Sequence, residues 1–117
     1  MQHCNLEKMV DDRGGAMLYV KSNLKIIGID SIILNSGNAL KIKIRICRGD
    51  CDSNSGEGIS IVVVYKDCRS SKNDFVREFE EKIVSRKEKN EIIVGDMNIN
   101  ILNEDVSAPY INMLMMN

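Results

Sequence analysis

The chain has little of what would indicate a membrane protein, a secreted protein or a general polyanion binder. No apolar run approaches the roughly 20 residues that span a bilayer, and the first residues lack the continuous hydrophobic stretch of a signal peptide. The 16 basic and 17 acidic residues nearly cancel, so the net charge of -1 gives no general attraction to a polyanion. We therefore expect an intracellular, non-secreted protein without a membrane partner, whose contacts with nucleic acid are local.

Aromatic residues are scarce as well, and this bounds the core. Trp is absent, Phe occurs only at Phe75 and Phe79, and seven Met with many Ile supply the bulk of the apolar side chains. Hydrophobic residues make up 44% and charged residues 28% of the 117 residues, which is too apolar for a disordered chain. We therefore expect one globular domain over residues 1–117.

The chain has four cysteines, Cys4, Cys47, Cys51 and Cys68, and a single histidine, His3. Because no signal peptide is expected, we interpret the cysteines as reduced thiols. A zinc site made by the last three cysteines and the histidine is an alternative, but the C-x-x-x-C spacing and the lack of a second close pair argue against it.

Apolar patterning predicts four strands within residues 16–65. In residues 40–47 apolar side chains alternate with Lys41, Lys43 and Arg45, so one face of this strand is expected in water. The other strands are expected at residues 16–21, at residues 25–29 or a little beyond, and at residues 59–65, the last covered on both faces; residues 35–38 supply a hairpin turn and residues 48–58 a loop.

Two segments carry helical periodicity. Ser71 or Asn73 can cap a helix that extends to about Lys89. Its apolar stripe comprises Phe75, Val76, Phe79 and Ile83, and its solvent-facing side comprises Glu78, Glu81, Lys82, Arg86 and Lys87. A second amphipathic helix is expected over residues 108–116, beginning near Pro109.

The first helix lies between two predicted strands, residues 59–65 and the short apolar segment 91–94. This order predicts a right-handed crossover between parallel strands of one sheet, and hence an α/β layered domain. Because ligands gather at the carboxyl ends of such strands, the loops after Tyr65 and Val94 are candidate functional loops.

The segment after Val94, Gly95-Asp96-Met97-Asn98, has two interpretations. A simple turn accounts for these residue types, since Asp and Asn side chains bind nearby backbone amides. Alternatively, Asp96 and Asn98 point the same way from an extended segment. The carboxylate can then hold a proton of water while the amide donates to a phosphoryl oxygen, which suits phosphate-ester hydrolysis.

Three separated blocks resemble the endonuclease/exonuclease/phosphatase family, most closely the endonuclease domain of non-LTR retrotransposons. The blocks are RGGAMLYVKSNL, IVVVYKDCRS and IIVGDMNINIL, which occur in the family's order between Arg13 and Leu102. Their combination carries the resemblance, because Gly-Asp-x-Asn after an apolar strand is fairly specific whereas Arg-Gly-Gly is weak by itself. Residues 107–117 also resemble the helix that follows the motif.

The resemblance implies a Mg²⁺-dependent phosphodiesterase that nicks DNA, built as a two-sheet α/β sandwich flanked by helices. By position, Asp96 would orient or deprotonate the attacking water, Asn98 would steady the phosphate, and Tyr65 would reach the same phosphate. Apart from the resemblance, Tyr65 is equally well explained as a strand-end tyrosine that packs its ring and keeps its hydroxyl in water.

Several parts of the family pattern have no counterpart. The late Ser-Asp-His segment is missing, His3 lies at the wrong end, and Glu7 comes too soon before the Arg-Gly-Gly block to be the early metal-binding glutamate. We therefore expect the central part of the sandwich, incomplete at both ends, with weak Mg²⁺ binding because Asp96 alone offers few oxygen ligands. Residues 66–68, Lys-Asp-Cys in place of Arg-Pro-Pro, predict a looser loop after Tyr65.

Three functions stay open at this point. The first is a fragment of a retrotransposon-type DNA endonuclease domain that is inactive alone. The second is an active metallophosphoesterase on another phosphate ester, which regains missing groups by oligomerising. The third is a non-catalytic phosphate- or nucleic-acid-binding module that uses a basic stripe of Lys41, Lys43 and Arg45, although a solvated strand face explains that stripe more simply. An incomplete sandwich should also expose an apolar sheet surface, which favours self-association.

Overall fold

The structure is a computed structural model that describes residues 2–5, 15–46 and 58–116, with the backbone alone described for residues 2–5, 46 and 106. Its strands are β1 (Gln2–Asn5), β2 (Met17–Val20), β3 (Leu24–Leu34), β4 (Gly37–Ile46), β5 (Ile59–Lys66) and β6 (Glu91–Asp96). Its helices are α1 (Lys72–Lys82) and α2 (Glu104–Met116), and a 3₁₀ turn spans Val84–Arg86. Strands β3, β4, β5 and β6 form one sheet in that order, and β1 pairs with β2 in a separate two-stranded sheet.

Strand directions confirm the α/β prediction. The pairs β3–β4 and β4–β5 are antiparallel, whereas β5 and β6, which are connected through α1, are parallel. A parallel pair puts the carboxyl ends of both strands at the same edge of the sheet. The structure is therefore a mixed α/β fold with a four-stranded sheet and two helices.

One face of the four-stranded sheet packs against the helices. On this face Val62 and Val64 of β5 are fully buried. They belong to one apolar cluster with Phe75 and Phe79 of α1 and with Met113 of α2. Both phenylalanines of the chain lie here with their ring centroids 5.5 Å apart, so the scarce aromatic side chains are concentrated where the helix meets the sheet.

The opposite face, which we call the second face, is covered along its middle and exposed on its outer strands. Leu40 and Ile42 of β4 are buried there in a cluster with Val20 of β2. This confirms the apolar face predicted for β4. On the outer strands, Ile33 is 73% exposed and Ile92 is 52% exposed.

The basic side chains of β4 differ in how far they reach water. Lys41 is the register partner of Val62 and so shares the helix-side face; its side chain is only 17% exposed and lies 3.6 Å from both Glu88 and Glu91, which follow α1. The expectation of a water-facing stripe was therefore wrong for Lys41. The Lys43 side chain is 42% exposed and pairs with Glu88 at 3.1 Å.

Helix α1 begins as predicted and ends earlier. Ser71 is the N-cap, and its hydroxyl accepts from the backbone amide of Asp74 at 3.4 Å. The helix ends at Lys82 rather than near Lys89, because the chain tightens into the 3₁₀ turn Val84–Arg86 before it enters β6.

The other differences from the sequence predictions concern element ends. Helix α2 starts at Glu104, so Pro109 lies inside it, where proline has no N–H to donate to the preceding turn. Strand β3 extends to Leu34 with a bulge between Ile26 and Gly28. Strand β1 was not predicted, and the predicted loop at residues 48–58 lies outside the described residues except for Gly58.

Glu78 was expected in solvent and is 5% exposed instead. Its carboxylate accepts hydrogen bonds from the Asn35 amide at 2.7 Å, the Ser36 amide at 3.1 Å and the Ser36 hydroxyl at 2.7 Å. Burial acts to raise the pKa of Glu78, but the hydrogen bonds from Ser36 and Asn35, with the nearby charge of Lys82, lower it overall. The prediction failed because the β3–β4 turn folds over α1 and needs this acceptor.

Candidate functional site

The carboxyl ends of β5 and β6, which we call the exit end, bring two of the predicted site residues together. Tyr65 and Asp96 are Cα partners in the parallel register, so their side chains project from the same face of the sheet. That face is the second face, because Tyr65 alternates with the helix-facing Val64. Tyr65 is half-buried and Asp96 is exposed.

Asn38 extends this row across a third strand. It is the Cα partner of Tyr65 in the antiparallel β4–β5 register, so an amide, a phenol and a carboxylate occupy neighbouring positions on one face. The sequence analysis missed Asn38, which it assigned to a hairpin turn. No local signal could have found it, because the β4–β5 register pairs Asn38 with Tyr65, a residue far away along the chain.

Gly95 lets β6 approach β5 at this end of the sheet. Its φ is +153°, a conformation that favours glycine, and a Cβ atom here would lie 1.9 Å from the Val64 carbonyl oxygen. The glycine of the Gly-Asp-x-Asn segment is therefore required by the backbone geometry that places Asp96 beside Tyr65.

Asn98 connects the loop after β6 to the end of β5. Its φ is +46°, and its backbone amide donates to Asp96 Oδ1 at 3.0 Å, which closes an Asx turn. Its side-chain Nδ2 donates to the carbonyl oxygen of Lys66 at 2.5 Å. The simple-turn interpretation thus describes the backbone correctly, but the Asn98 amide reaches across to the neighbouring strand.

The loop after Tyr65 is held by hydrogen bonds. The Lys66 ammonium donates to the carbonyl oxygens of Asp67 at 2.8 Å and Ser70 at 2.9 Å. The Ser70 hydroxyl and the Asp67 amide both donate to the Ser36 carbonyl oxygen, at 2.9 and 2.8 Å. The looser loop predicted from the missing prolines stays a prediction, and these hydrogen bonds are the contacts that constrain the loop backbone.

Lys66 also places a buried positive charge at the exit end, which the sequence analysis did not find. The residue is 1% exposed, and burial, followed by the charge of Lys72, lowers the pKa of its ammonium. Its carbonyl oxygen accepts from Asn98 while its ammonium holds the following loop. Lys66 therefore joins the two loops that the strand order predicts to be functional.

The exit end retains free hydrogen-bonding capacity. Among the described residues, only the backbone amide of Asn98 donates to the Asp96 carboxylate, whose other lone pairs stay available. The Asn98 Nδ2 group carries a second hydrogen beyond the one given to Lys66. An exposed carboxylate and a fixed amide donor at one strand end can hold a water and a phosphoryl oxygen.

The described residues do not form a magnesium site. In residues 15–45 and 58–116, no three His, Cys, Asp or Glu side chains converge to hold a metal ion. Asp96 offers an exposed carboxylate at the exit end, and the neighbouring carboxylate of Asp67 is buried and paired with Arg69, whereas Mg²⁺ prefers an octahedron of several oxygen ligands. The weak Mg²⁺ binding expected from the sequence stays a prediction.

Several other sequence candidates lie outside the described part of the chain. Glu7, Cys47 and Cys51 fall there entirely, and His3 is described only as a backbone position of β1 opposite Tyr19. Cys68 is an exposed free thiol. The zinc alternative is therefore neither supported nor contradicted by the described residues.

The amino ends of β5 and β6, which we call the entry end, carry a second charged group. Glu88 Oε2 accepts from the Ser60 hydroxyl at 2.5 Å and lies 3.1 Å from Lys43 Nζ. Lys41 Nζ lies 3.6 Å from both Glu88 Oε1 and Glu91 Oε1. The hydrogen bonds from Ser60 and Lys43 lower the pKa of Glu88 to about 2, so this carboxylate is ionised and occupied.

Comparisons with known proteins leave the family unassigned. No family model matches the chain, and no match is found among curated proteins or solved structures. Neither helix of the described chain is long and apolar enough to cross a membrane.

Proposed function

We propose that the chain is part of a retrotransposon-type endonuclease domain, a Mg²⁺-dependent phosphodiesterase, whose exit end handles the phosphate. The observation that carries the proposal is the register that aligns Tyr65 with Asp96 while Asn98 binds the carbonyl next to Tyr65. A turn by itself uses only Asp96 and Asn98. It does not require a phenol beside the carboxylate on the adjacent strand.

Each residue has a role that its position supports. The exposed Asp96 carboxylate accepts a proton from the attacking water. The second Nδ2 hydrogen of Asn98 donates to a phosphoryl oxygen, and Tyr65 reaches the same phosphate from β5. Lys66 is a positioning residue, because it ties the two loops and does not contact the phosphate.

The proposed domain is inactive alone because its catalytic set is incomplete. At the exit end, the described part of the chain provides one exposed carboxylate, that of Asp96, and no imidazole side chain. Losing one donor that stabilises transition-state charge typically costs about 10²-fold or more in rate. Slow chemistry is therefore expected even with Mg²⁺ present.

The proposal also concerns partners and the second sheet. In the sandwich that the resemblance implies, the second face would be an inner surface, and its exposed Ile33 and Ile92 are what an uncovered inner surface would present. We therefore also propose that the protein self-associates through the second face. We propose DNA as the substrate that binds at the exit end.

A plasmid-nicking assay that supplies the missing imidazole tests the proposal. Supercoiled DNA is incubated with the protein and Mg²⁺, with and without added imidazole, and open-circle product is measured. We expect no detectable nicking without imidazole and slow nicking with it, because free imidazole can act as the absent proton carrier. The nicking should disappear in Asp96→Asn, which keeps an acceptor for the Asn98 amide.

The matched control is Asp74→Asn, which removes one exposed carboxylate on α1 whose described partner is Arg77. It should nick like the unmodified protein. Equal imidazole-stimulated nicking in Asp96→Asn, or none in any variant, contradicts the phosphate role of Asp96. Strong Asp96-dependent nicking without imidazole contradicts the inactivity and favours the working metallophosphoesterase.

A further inference from the structure

An open cavity of about 380 Å³ lies at the entry end, away from the proposed catalytic residues. The described residues that line it include Lys43, Arg45 and Lys89 with a single carboxylate, Glu88. A volume of this size is in the range of small-molecule sites. Positive charge therefore exceeds negative charge around a space large enough for a ligand.

The one carboxylate of the cavity is already occupied. Glu88 accepts from the Ser60 hydroxyl and pairs with Lys43 at 3.1 Å and Lys41 at 3.6 Å. No carboxylate of the described residues lies within ion-pair distance of Arg45 or Lys89, and neither has any other described partner. The described residues therefore leave the charges of Arg45 and Lys89 uncompensated in the cavity.

Arg45 supplies the second, independent observation. Its Nε atom is buried and has no hydrogen-bond partner in the part of the chain that the structure describes. A buried guanidinium N–H without an acceptor is unfavourable, and such orphaned donors are typically explained by an unseen water or ion. The geometry of Arg45 thus requires an acceptor that the described residues do not provide.

We infer that the entry-end cavity binds a phosphate-class oxyanion, with Arg45 and Lys89 as its principal ligands. Guanidinium groups suit such oxyanions because their N–H donors match the spacing of the oxygens. The oxyanion is either free phosphate or a phosphate group of a nucleic acid. Lys41 takes no part, which distinguishes this site from the basic stripe considered from the sequence.

NMR titration of the Arg45 Nε–Hε resonance tests the inference directly. Labelled protein is titrated with inorganic phosphate at constant ionic strength, and separately with a short single-stranded oligonucleotide. We expect the resonance to shift and saturate at millimolar phosphate, roughly the affinity of one charge-assisted site. A shift only with free phosphate assigns a small ligand, and a tighter, salt-sensitive shift with the oligonucleotide assigns a nucleic acid.

Two charge-matched variants provide the control. Lys89→Gln removes a cavity cation and should weaken binding by about tenfold. Lys87→Gln removes an exposed lysine outside the cavity and should leave binding unchanged. Arg45→Gln should abolish binding, and its urea midpoint shows whether it folds; the exposed Lys89→Gln variant keeps the test valid if it does not.

Two results would overturn the inference. One is an Arg45 Nε–Hε resonance that stays fixed with both phosphate and oligonucleotide. The other is equal weakening by Lys87→Gln and Lys89→Gln, which would mean that general surface charge, and not the cavity, attracts the anion. Neither result bears on the exit-end proposal, since that proposal rests on Asp96.

Discussion

The two ends of the β5–β6 pair each carry a carboxylate, and the two carboxylates are held differently. At the exit end, Asp96 is exposed and accepts from one backbone amide at 3.0 Å. At the entry end, Glu88 accepts from a serine hydroxyl and lies within 4 Å of Lys41 and Lys43. The carboxylate of Glu88 is thus fully engaged in contacts within the fold, whereas the carboxylate of Asp96 can still accept further hydrogen bonds.

The partners of an acidic side chain at a strand end thus indicate whether its role is structural or reactive. Side-chain donors and cations satisfy Glu88 and neutralise its charge, so it stabilises the sheet and the turn after α1. Asp96 fixes only its own loop, and the opposite strand presents Tyr65 beside it. The excess of cations at the entry end suits that end to binding an anion. The available carboxylate at the exit end suits that end to accepting a proton.

Gly95→Ala is expected to have the largest effect, because Gly95 holds the exit end together. The new Cβ would meet the Val64 carbonyl at 1.9 Å in a conformation that disfavours alanine. Strain and overpacking together predict a loss of about 3 kcal/mol in the free energy of unfolding. The control Gly28→Ala, whose Cβ would lie 3.7 Å from Lys43 Cβ, should change it by less than about 0.5 kcal/mol. Urea unfolding measures both, and equal losses would contradict the assigned role of Gly95.

A smaller effect is expected from Glu78→Gln, which weakens the β3–β4 turn next to the exit end. Gln keeps one acceptor oxygen but faces the Asn35 and Ser36 donors with an NH₂ group, so about 2 kcal/mol of unfolding free energy should be lost. Glu81→Gln, an exposed change of the same kind on α1, should cost little. An equal loss in the two variants would mean that the turn does not depend on the buried carboxylate.

The same pair of variants has a pH dependence with a definite sign. The pKa of Glu78 is lowered on folding, so its stabilisation is fully present above the unfolded value of about 4.3 and is lost as pH falls through the folded pKa. The stability gap between the unmodified protein and Glu78→Gln should therefore shrink as the pH falls below about 4.3. A gap that widens on acidification contradicts the assignment.

The smallest expected effect concerns Glu88 at the entry end and its hydrogen bond from Ser60. The Glu88 carboxyl should titrate with a pKa of about 2, so its contribution to stability is present above about pH 4.3 and lost as pH falls toward 2. Ser60→Ala removes the hydroxyl donor and should raise this pKa, as measured by carboxyl-carbon NMR. An unchanged midpoint would show that the lysines alone hold Glu88 ionised.

Prediction from the sequence succeeded where a side chain's fate depends on its near neighbours along the chain. The alternation in β4 placed Leu40 and Ile42 in the core, and the apolar stripe of α1 placed Phe75 and Phe79 there. It failed where a distant segment decides. Glu78 fits a solvent-facing helix position by periodicity, and only the turn at Ser36 makes it a buried acceptor.

Prediction of the candidate site was partial for the same reason. Tyr65, Asp96 and Asn98 were recognised as strand-end residues from local sequence. Asn38 and Lys66 were not, since one joins the row through the β4–β5 register and the other through burial between two loops. The cavity beside Arg45 could not be predicted from sequence either. A period-two pattern shows which residues share a strand face, but it does not show which of them have hydrogen-bond acceptors nearby.

Both helices, every strand except β1, the parallel order of β5 and β6, and the acid-amide segment at a strand's carboxyl end could be predicted from sequence, because periodicity and turn chemistry are local properties. Only the folded chain shows that Tyr65 lies beside Asp96, that Asn98 binds the adjacent strand, and that Glu88 has hydrogen-bond partners while Arg45 Nε has none among the described residues. Register and burial arise from contacts between segments far apart in the chain, and these set which polar groups remain free to act.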